Sequence, residues 1–164
     1  MRLLTNIGDM AANAIQRASA FEQVKQQIER LKAQRTIDMY IASGTELYLT
    51  FKAIVKETVK QLGVDAADIL LLNPSSHSLE FAEGHGFRSR RMEQVTLHMG
   101  EGFAGQAALT REPLRVGDLS SHENHLLFDL EGFISYYGLP LIAKGEVKGV
   151  MEVFHRAQIG RAHV

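Results

Sequence analysis

Three groups of residues have types and spacings suited to chemistry. Gly100, Gly102 and Gly105 follow a strand-like stretch and open a helix-like one in G-x-G-x-x-G spacing, the order in which a dinucleotide pyrophosphate meets the N–H groups of a helix start. That reading fails on length. A parallel crossover needs about a dozen residues or more, and Pro113 closes the helical stretch soon after Arg111. The preceding Val95-Thr96-Leu97-His98-Met99 also alternates, unlike the continuous apolar run of a strand covered on both faces. The glycines therefore read as a sharp turn into a helix packed closely on a sheet, whose first N–H groups can still receive an anionic ligand group.

His122 and His125 flank Glu123 and Asn124 at a spacing that could share one metal. Metal sites need three or four ligands with supporting contacts, and only the distant Asp118 is at hand. These are read as solvated loop residues, and no metal site is assigned. Asp118, Ser120, Ser121 and His122 hold the ingredients of a nucleophilic triad, but there is no nucleophile elbow and near neighbours in sequence seldom converge on one point. Asp118 and the serines are expected to cap the short helix that follows. Paired carboxylates are not apparent, so no catalytic residue is assigned.

Composition narrows the field further. The absence of cysteine in 164 residues removes disulfides, thiolate nucleophiles and Cys-based zinc sites, and fits a reducing cytoplasm. An apolar fraction of 45% supports one buried core, so one domain with an appendage is expected. Eighteen basic against nineteen acidic residues leave a net charge of -1, which gives no field for a nucleic-acid backbone or an anionic membrane. Neither is expected as a partner. Apolar runs such as Ile69-Leu70-Leu71-Leu72 fall far short of the roughly 20 residues that span a bilayer, and Met1-Arg2-Leu3-Leu4 runs into Asn6 and Asp9 without a signal peptide.

The elements that position these residues follow from periodicity. Leu3, Ile7, Met10, Ala14, Arg17, Phe21, Val24, Ile28 and Leu31 alternate steps of four and three, the period of a coiled coil. A helix with one narrow apolar seam must bury it. A parallel pairing between two subunits is preferred over a helix folded back on its own domain. A second helix is expected from Leu47 to Leu62, with Phe51, Ile54, Val55 and Val59 inward and Gly63 at its end. Ala67 to Leu72 and Leu79 to Gly84 read as an antiparallel hairpin across Asn73 to Ser78. A short strand at Val95 to Met99, a helix from Phe103 to Leu109, a strand at Leu114 to Val116 and a short helix around Leu126 to Leu130 follow. The chain closes with strands Ser135 to Ile142 and Val147 to Phe154, joined tightly at Ala143 to Glu146. Helices first and mostly antiparallel strands after describe an α+β domain with a central sheet.

Leu62 to Leu72, the turn Gly100-Glu101-Gly102-Phe103-Ala104-Gly105-Gln106-Ala107, Leu139-Pro140-Leu141-Ile142, Gly145 and Gly149-Val150-Met151-Glu152-Val153 resemble, in order and spacing, a GAF domain over about Arg35 to Arg156. The resemblance implies a PAS-like antiparallel sheet with helices on one face and a small-molecule pocket on the other. It implies an input module of the kind found in sensor kinases, cyclic-dinucleotide enzymes, phosphodiesterases and transcription activators. Leu3 to Phe21 also resembles the helix that closes a preceding GAF domain, which implies a piece of a tandem array. The expected division is a signalling helix at 1–35, a GAF domain at 36–156 and a non-native-looking tail at 157–164, where the family's long C-terminal helix is missing.

On that resemblance, the expected function is a cytoplasmic regulatory module, not an enzyme. It would bind a small molecule and signal through a homodimer of N-terminal helices to an effector domain in the same polypeptide, or else serve dimerisation and spacing without a ligand. Phe103, Phe128, Phe133 and Tyr136 are the expected apolar lining of the pocket, with Gln106, Asp118, Asn124 and Glu152 as polar contacts. The cyclic-nucleotide signature of the family is matched only by Asn124-His125 and Phe128, without its Lys and Asp-Glu pair. A haem ligand from His98, His122 or His125 is conceivable on the resemblance alone, so the cofactor is left unassigned. Reductase chemistry of the GAF-like methionine sulfoxide reductases uses cysteine, which this chain lacks.

Overall fold

The computed structural model describes residues 2–29, 35–122 and 126–156, and only the backbone for 22–29 and 35–43. Two long helices come first, α1 (Arg2–Glu29) and α2 (Arg35–Leu62). Gly63, at φ 63°, supplies the left-handed residue that ends α2. The chain then runs through β1 (Ala66–Asn73), β2 (Ser78–His85), β3 (Thr96–His98), α3 (Gly102–Thr110), β4 (Leu114–Val116), α4 (Leu126–Glu131), β5 (Phe133–Ala143) and β6 (Glu146–Arg156). Short 3-10 turns at Arg91–Gln94 and Leu119–Ser121 were not foreseen from periodicity, which a single turn is too short to show.

All six strands form one sheet in the order β3-β2-β1-β6-β5-β4, and every neighbouring pair is antiparallel. The expected α+β architecture is the observed one. Lys144 and Gly145 at φ 51° and 75° make the tight β5–β6 turn, with the mirror-image twist that suits a hairpin. The period-two alternation of the strands gives the sheet two apolar faces. Ala67, Ile69, Leu139, Leu141, Met151 and Val153 face α1 and α2. Ala66, Tyr136 and Phe154, with Leu70 and Val150, face the other way, where α3 and α4 lie.

The N-terminal helix departs from its expected use. Leu4, Ile7, Ala11, Ala12 and Ile15 are buried in the same core as Phe51, Ile54, Val55, Leu139 and Leu141, so the first half of α1 docks on its own domain. Gly8 makes this possible. A Cβ there would stand 2.5 Å from Leu139 Cδ2, so the helix backbone lies directly on β5, and the alanines that follow keep the approach close. The seam read from the large side chains is thus rotated from the buried stripe: Ile7 and Ala14 are covered, while Leu3, Met10 and Phe21 are 42%, 62% and 37% exposed. A heptad count gives weight to large residues and none to Gly8, Ala11 and Ala12, although small residues are what let a helix sit tightly on a sheet. Val24 and Ile28 belong to the stretch described by its backbone alone, and Leu31 and the tail 157–164 lie outside the described residues. Among those described, no helix is long and apolar enough to cross a membrane.

Candidate ligand pocket

Strand register brings together residues far apart in sequence. Asp68 on β1 is paired with Glu152 on β6, and Glu152 with Gly138 on β5. Alternation turns Asp68 and Glu152 away from α1 and α2. Tyr136, two residues before Gly138 and on the same face, lays its ring over that glycine, where a Cβ would lie 2.5 Å from the tyrosine hydroxyl oxygen. Two carboxyls and a phenol therefore meet on the inner face of the sheet, at 0%, 3% and 2% exposure for Asp68, Glu152 and Tyr136. The paired carboxylates that the sequence did not reveal are here.

Both Asp68 carboxyl oxygens and the Tyr136 hydroxyl are buried without a hydrogen-bond partner. Burial, and next the charge of Glu152, push the Asp68 carboxyl well above the usual carboxylate range. Burial also raises Glu152, offset by the Tyr136 hydroxyl and the Asp68 carboxyl beside it. Tyr136 is raised well above its ordinary value by burial and then by the two carboxyls. Two carboxyls so buried and so close resist ionising together, and the pair titrates as a unit.

Glu152 opens onto a half-open cavity of about 560 Å³, within the span of roughly 300–1,000 Å³ common for small-molecule sites. Its walls are Met92 and Val95 from the 91–95 turn, Leu97 of β3, Gly102, Phe103 and Ala104 at the start of α3, and Leu126, Leu127 and Phe128 of α4, with Glu101 at the rim. Phe103 and Phe128 are stacked, 6.2 Å apart with 17° between planes. Behind them Phe133 stacks on Phe154 at 4.4 Å.

A part-buried ion pair fixes the α4 wall. The Glu131 carboxylate accepts from the backbone N–H groups of Arg88 at 2.8 Å and Ser89 at 3.0 Å, and from the Arg156 guanidinium at 2.7 Å. Arg156 also donates to the Glu131 carbonyl and to the Gly86 carbonyl, each at 2.8 Å. Arg156 thereby ties α4 and the loop after β2 to the end of β6.

The turn into α3 uses its glycines as the sequence suggested. Gly100 and Gly102 have φ of 86° and 63°, and a Cβ on Gly105 would stand 2.5 Å from the His98 carbonyl oxygen. Glu101 precedes the helix and accepts from the His98 N–H at 2.9 Å. Since β3 pairs antiparallel with β2, no parallel crossover for a dinucleotide exists here.

Of the residues expected to contact a ligand, Phe103, Phe128 and Glu152 line the cavity, and Phe133 and Tyr136 lie buried in the aromatic cluster behind it. Gln106 is exposed on the outer side of α3. Asp118 is exposed too and accepts from the Ser120 N–H at 3.0 Å and hydroxyl at 2.6 Å, which lower its carboxyl. It caps the Leu119–Ser121 turn, not α4 as expected. Asn124, with Glu123 and His125, lies outside the described residues. His98 is exposed on β3, and among the described residues no three His, Asp or Glu gather as a metal site. Sequence reasoning missed Asp68, Met92, Val95, Leu97 and Leu127. Only Asp68 carried a signal, as a lone charge inside the apolar run Ala66 to Leu72.

Solved structures share this fold. The GAF domain of a phosphoenolpyruvate-protein phosphotransferase from Acinetobacter is similar at 18% identity and a TM-score of 0.58, over 92% of this chain and 80% of that one. The NreA protein of Staphylococcus aureus, mutated in its nitrate-binding site, is similar at 20% identity and 0.60, over 70% and 90%. The free methionine-R-sulfoxide reductase of Neisseria meningitidis, in complex with its substrate, is similar at 22% and 0.58, over 87% and 78%. No curated protein matches the chain. A family model for the GAF domain covers residues 46–163, well over half the sequence, and the chain belongs to that family.

Proposed function

We propose that this chain is a cytoplasmic regulatory module in which a small molecule enters the inner-face cavity and its occupancy changes the packing of the flanking helices. In a dimer joined along α1, that change would alter an effector domain of the sensor-kinase or cyclic-dinucleotide type elsewhere in the polypeptide. The observation that carries the reading is the cavity of about 560 Å³, walled by Phe103 and Phe128 and floored by Glu152, on the reverse side of strands that hold α1. A solved relative of this fold with a nitrate-binding site, and another in complex with its substrate, support a ligand role. An enzymatic role is disfavoured because the chain has no cysteine for the reductase chemistry.

The second reading, a ligand-free spacer, draws on the aromatic cluster of Phe103, Phe128, Phe133, Tyr136 and Phe154, which already fills part of the inner face. Native mass spectrometry of the purified chain, with an absorbance scan for haem, separates the two. A bound small molecule released on unfolding is the expected result. A chain of bare mass that no metabolite fraction stabilises against heat would favour the spacer.

A further inference from the structure

We propose that the pocket takes a small molecule with a cationic nitrogen and an apolar body, its nitrogen seated on Glu152. This rests on the inner-face cavity being the ligand site.

The charge of the lining is the first argument. Among the described residues around the cavity, the ionisable ones are Glu101 and Glu152; none is Lys, Arg or His. Glu101 is engaged with the His98 N–H, which leaves Glu152 as the acceptor at the floor. An anion placed there would face a desolvated carboxylate. A wholly apolar guest would seal Glu152 from water without adding a donor to it, an unfavourable outcome for a buried polar group.

The second argument is the surplus of acceptors. Behind Glu152, both oxygens of Asp68 and the hydroxyl of Tyr136 are buried and unpartnered, so the floor gathers five oxygen atoms from three side chains and no N–H group from them. An ammonium or amidinium head supplies N–H donors and the opposite charge together. The stacked rings of Phe103 and Phe128 suit the apolar body, and an aromatic face attracts a nearby cation.

The start of α3 argues the other way, since a helix N-terminus carries about half a positive charge. The Glu101 carboxylate beside that terminus offsets it. The balance favours a cation.

Three probes of matched size decide the matter on the whole chain by titration calorimetry: 2-phenylethylammonium, 2-phenylethanol and 3-phenylpropionate. The expected order is ammonium tighter than alcohol by about tenfold or more, with the carboxylate weakest. Glu152→Gln is expected to remove the ammonium's advantage and leave the alcohol unchanged, whereas Glu101→Gln leaves the order intact. The wild-type order is decisive by itself if Glu152→Gln does not fold. Alcohol or carboxylate binding as tightly as the ammonium would overturn the cationic class while leaving a ligand pocket in place. Binding by none of the three at millimolar concentration would overturn the pocket reading as well.

Discussion

Asp68 and Glu131 are both buried carboxyls, at 0% and 2% exposure, and their surroundings push them in opposite directions. Asp68 meets no donor, so burial and the neighbouring Glu152 raise it well above the carboxylate range. For Glu131, burial also acts upward, but the N–H groups of Arg88 and Ser89, the Ser89 hydroxyl and the Arg156 guanidinium outweigh it and hold the carboxyl below its ordinary value. The consequences for stability have opposite signs. Folded Asp68 keeps its proton better than the unfolded chain does, so its contribution is full below the ordinary carboxylate value and declines as pH rises through the folded value. Folded Glu131 releases its proton more readily, so its contribution is present above the ordinary value and lost as pH falls through the folded one. Asp68→Asn is therefore expected to flatten the decline in urea stability as pH rises above the ordinary carboxylate range; a slope equal to wild type would refute the assignment. Glu131→Ala, which leaves Arg156 only its two carbonyl acceptors and the Arg88 and Ser89 N–H groups without the carboxylate, is expected to cost about 1–3 kcal/mol at neutral pH and less in acid.

At the scale of elements, the docking of α1 is the least obvious feature and the most open to a simple test. Gly8 costs the helix about 1 kcal/mol in propensity relative to Ala, a cost offset by contact with Leu139. Gly8→Leu forces a large side chain into a space where even a Cβ lies 2.5 Å from Leu139 Cδ2. An overpacking cost of about 1–3 kcal/mol is expected, with amide exchange accelerating through residues 2–15. An unchanged melting temperature and exchange pattern would mean that α1 is not held there. This contact also marks where legibility ended. The hairpins β1–β2 and β5–β6 and the turn into α3 could be read because alternation, Pro113 and the glycines at Gly100 to Gly105 are local signals. The small-residue stripe of α1 makes its contact with strands more than a hundred residues later, and a period has no term for that distance. The meeting of Asp68 with Glu152 depends on the pairing of β1 with β6, which strand existence alone does not specify. Phe103, Phe128 and Glu152 were legible as pocket residues only through the family resemblance, which fixed the face of the sheet.

Across the whole molecule, the cavity and the helices share the same strands. On β6, Val150 and Glu152 point to the pocket side while Met151 and Val153 pack toward α1 and α2, so a guest that shifts β6 also shifts the bed on which α1 lies. The docked helix leaves a second stripe outward, Leu3, Met10 and Arg17 at seven-residue intervals with Phe21 beyond, the spacing of one face of a paired helix. If two copies associate along that stripe, Met10→Glu places a charge in its middle. Sedimentation equilibrium is expected to show dimers at micromolar concentration and a loss of about tenfold or more in association for the variant. Linkage then adds a stricter demand, because a ligand that changes dimer affinity must bind the dimer and monomer with constants differing by the same factor. With 2-phenylethylammonium as the probe, a coupling of about 1–3 kcal/mol is expected to appear both as a shifted dimer constant and as altered probe affinity in Met10→Glu. Equal probe affinity in monomer and dimer would leave a pocket and a helix pair on one domain with no signal passing between them.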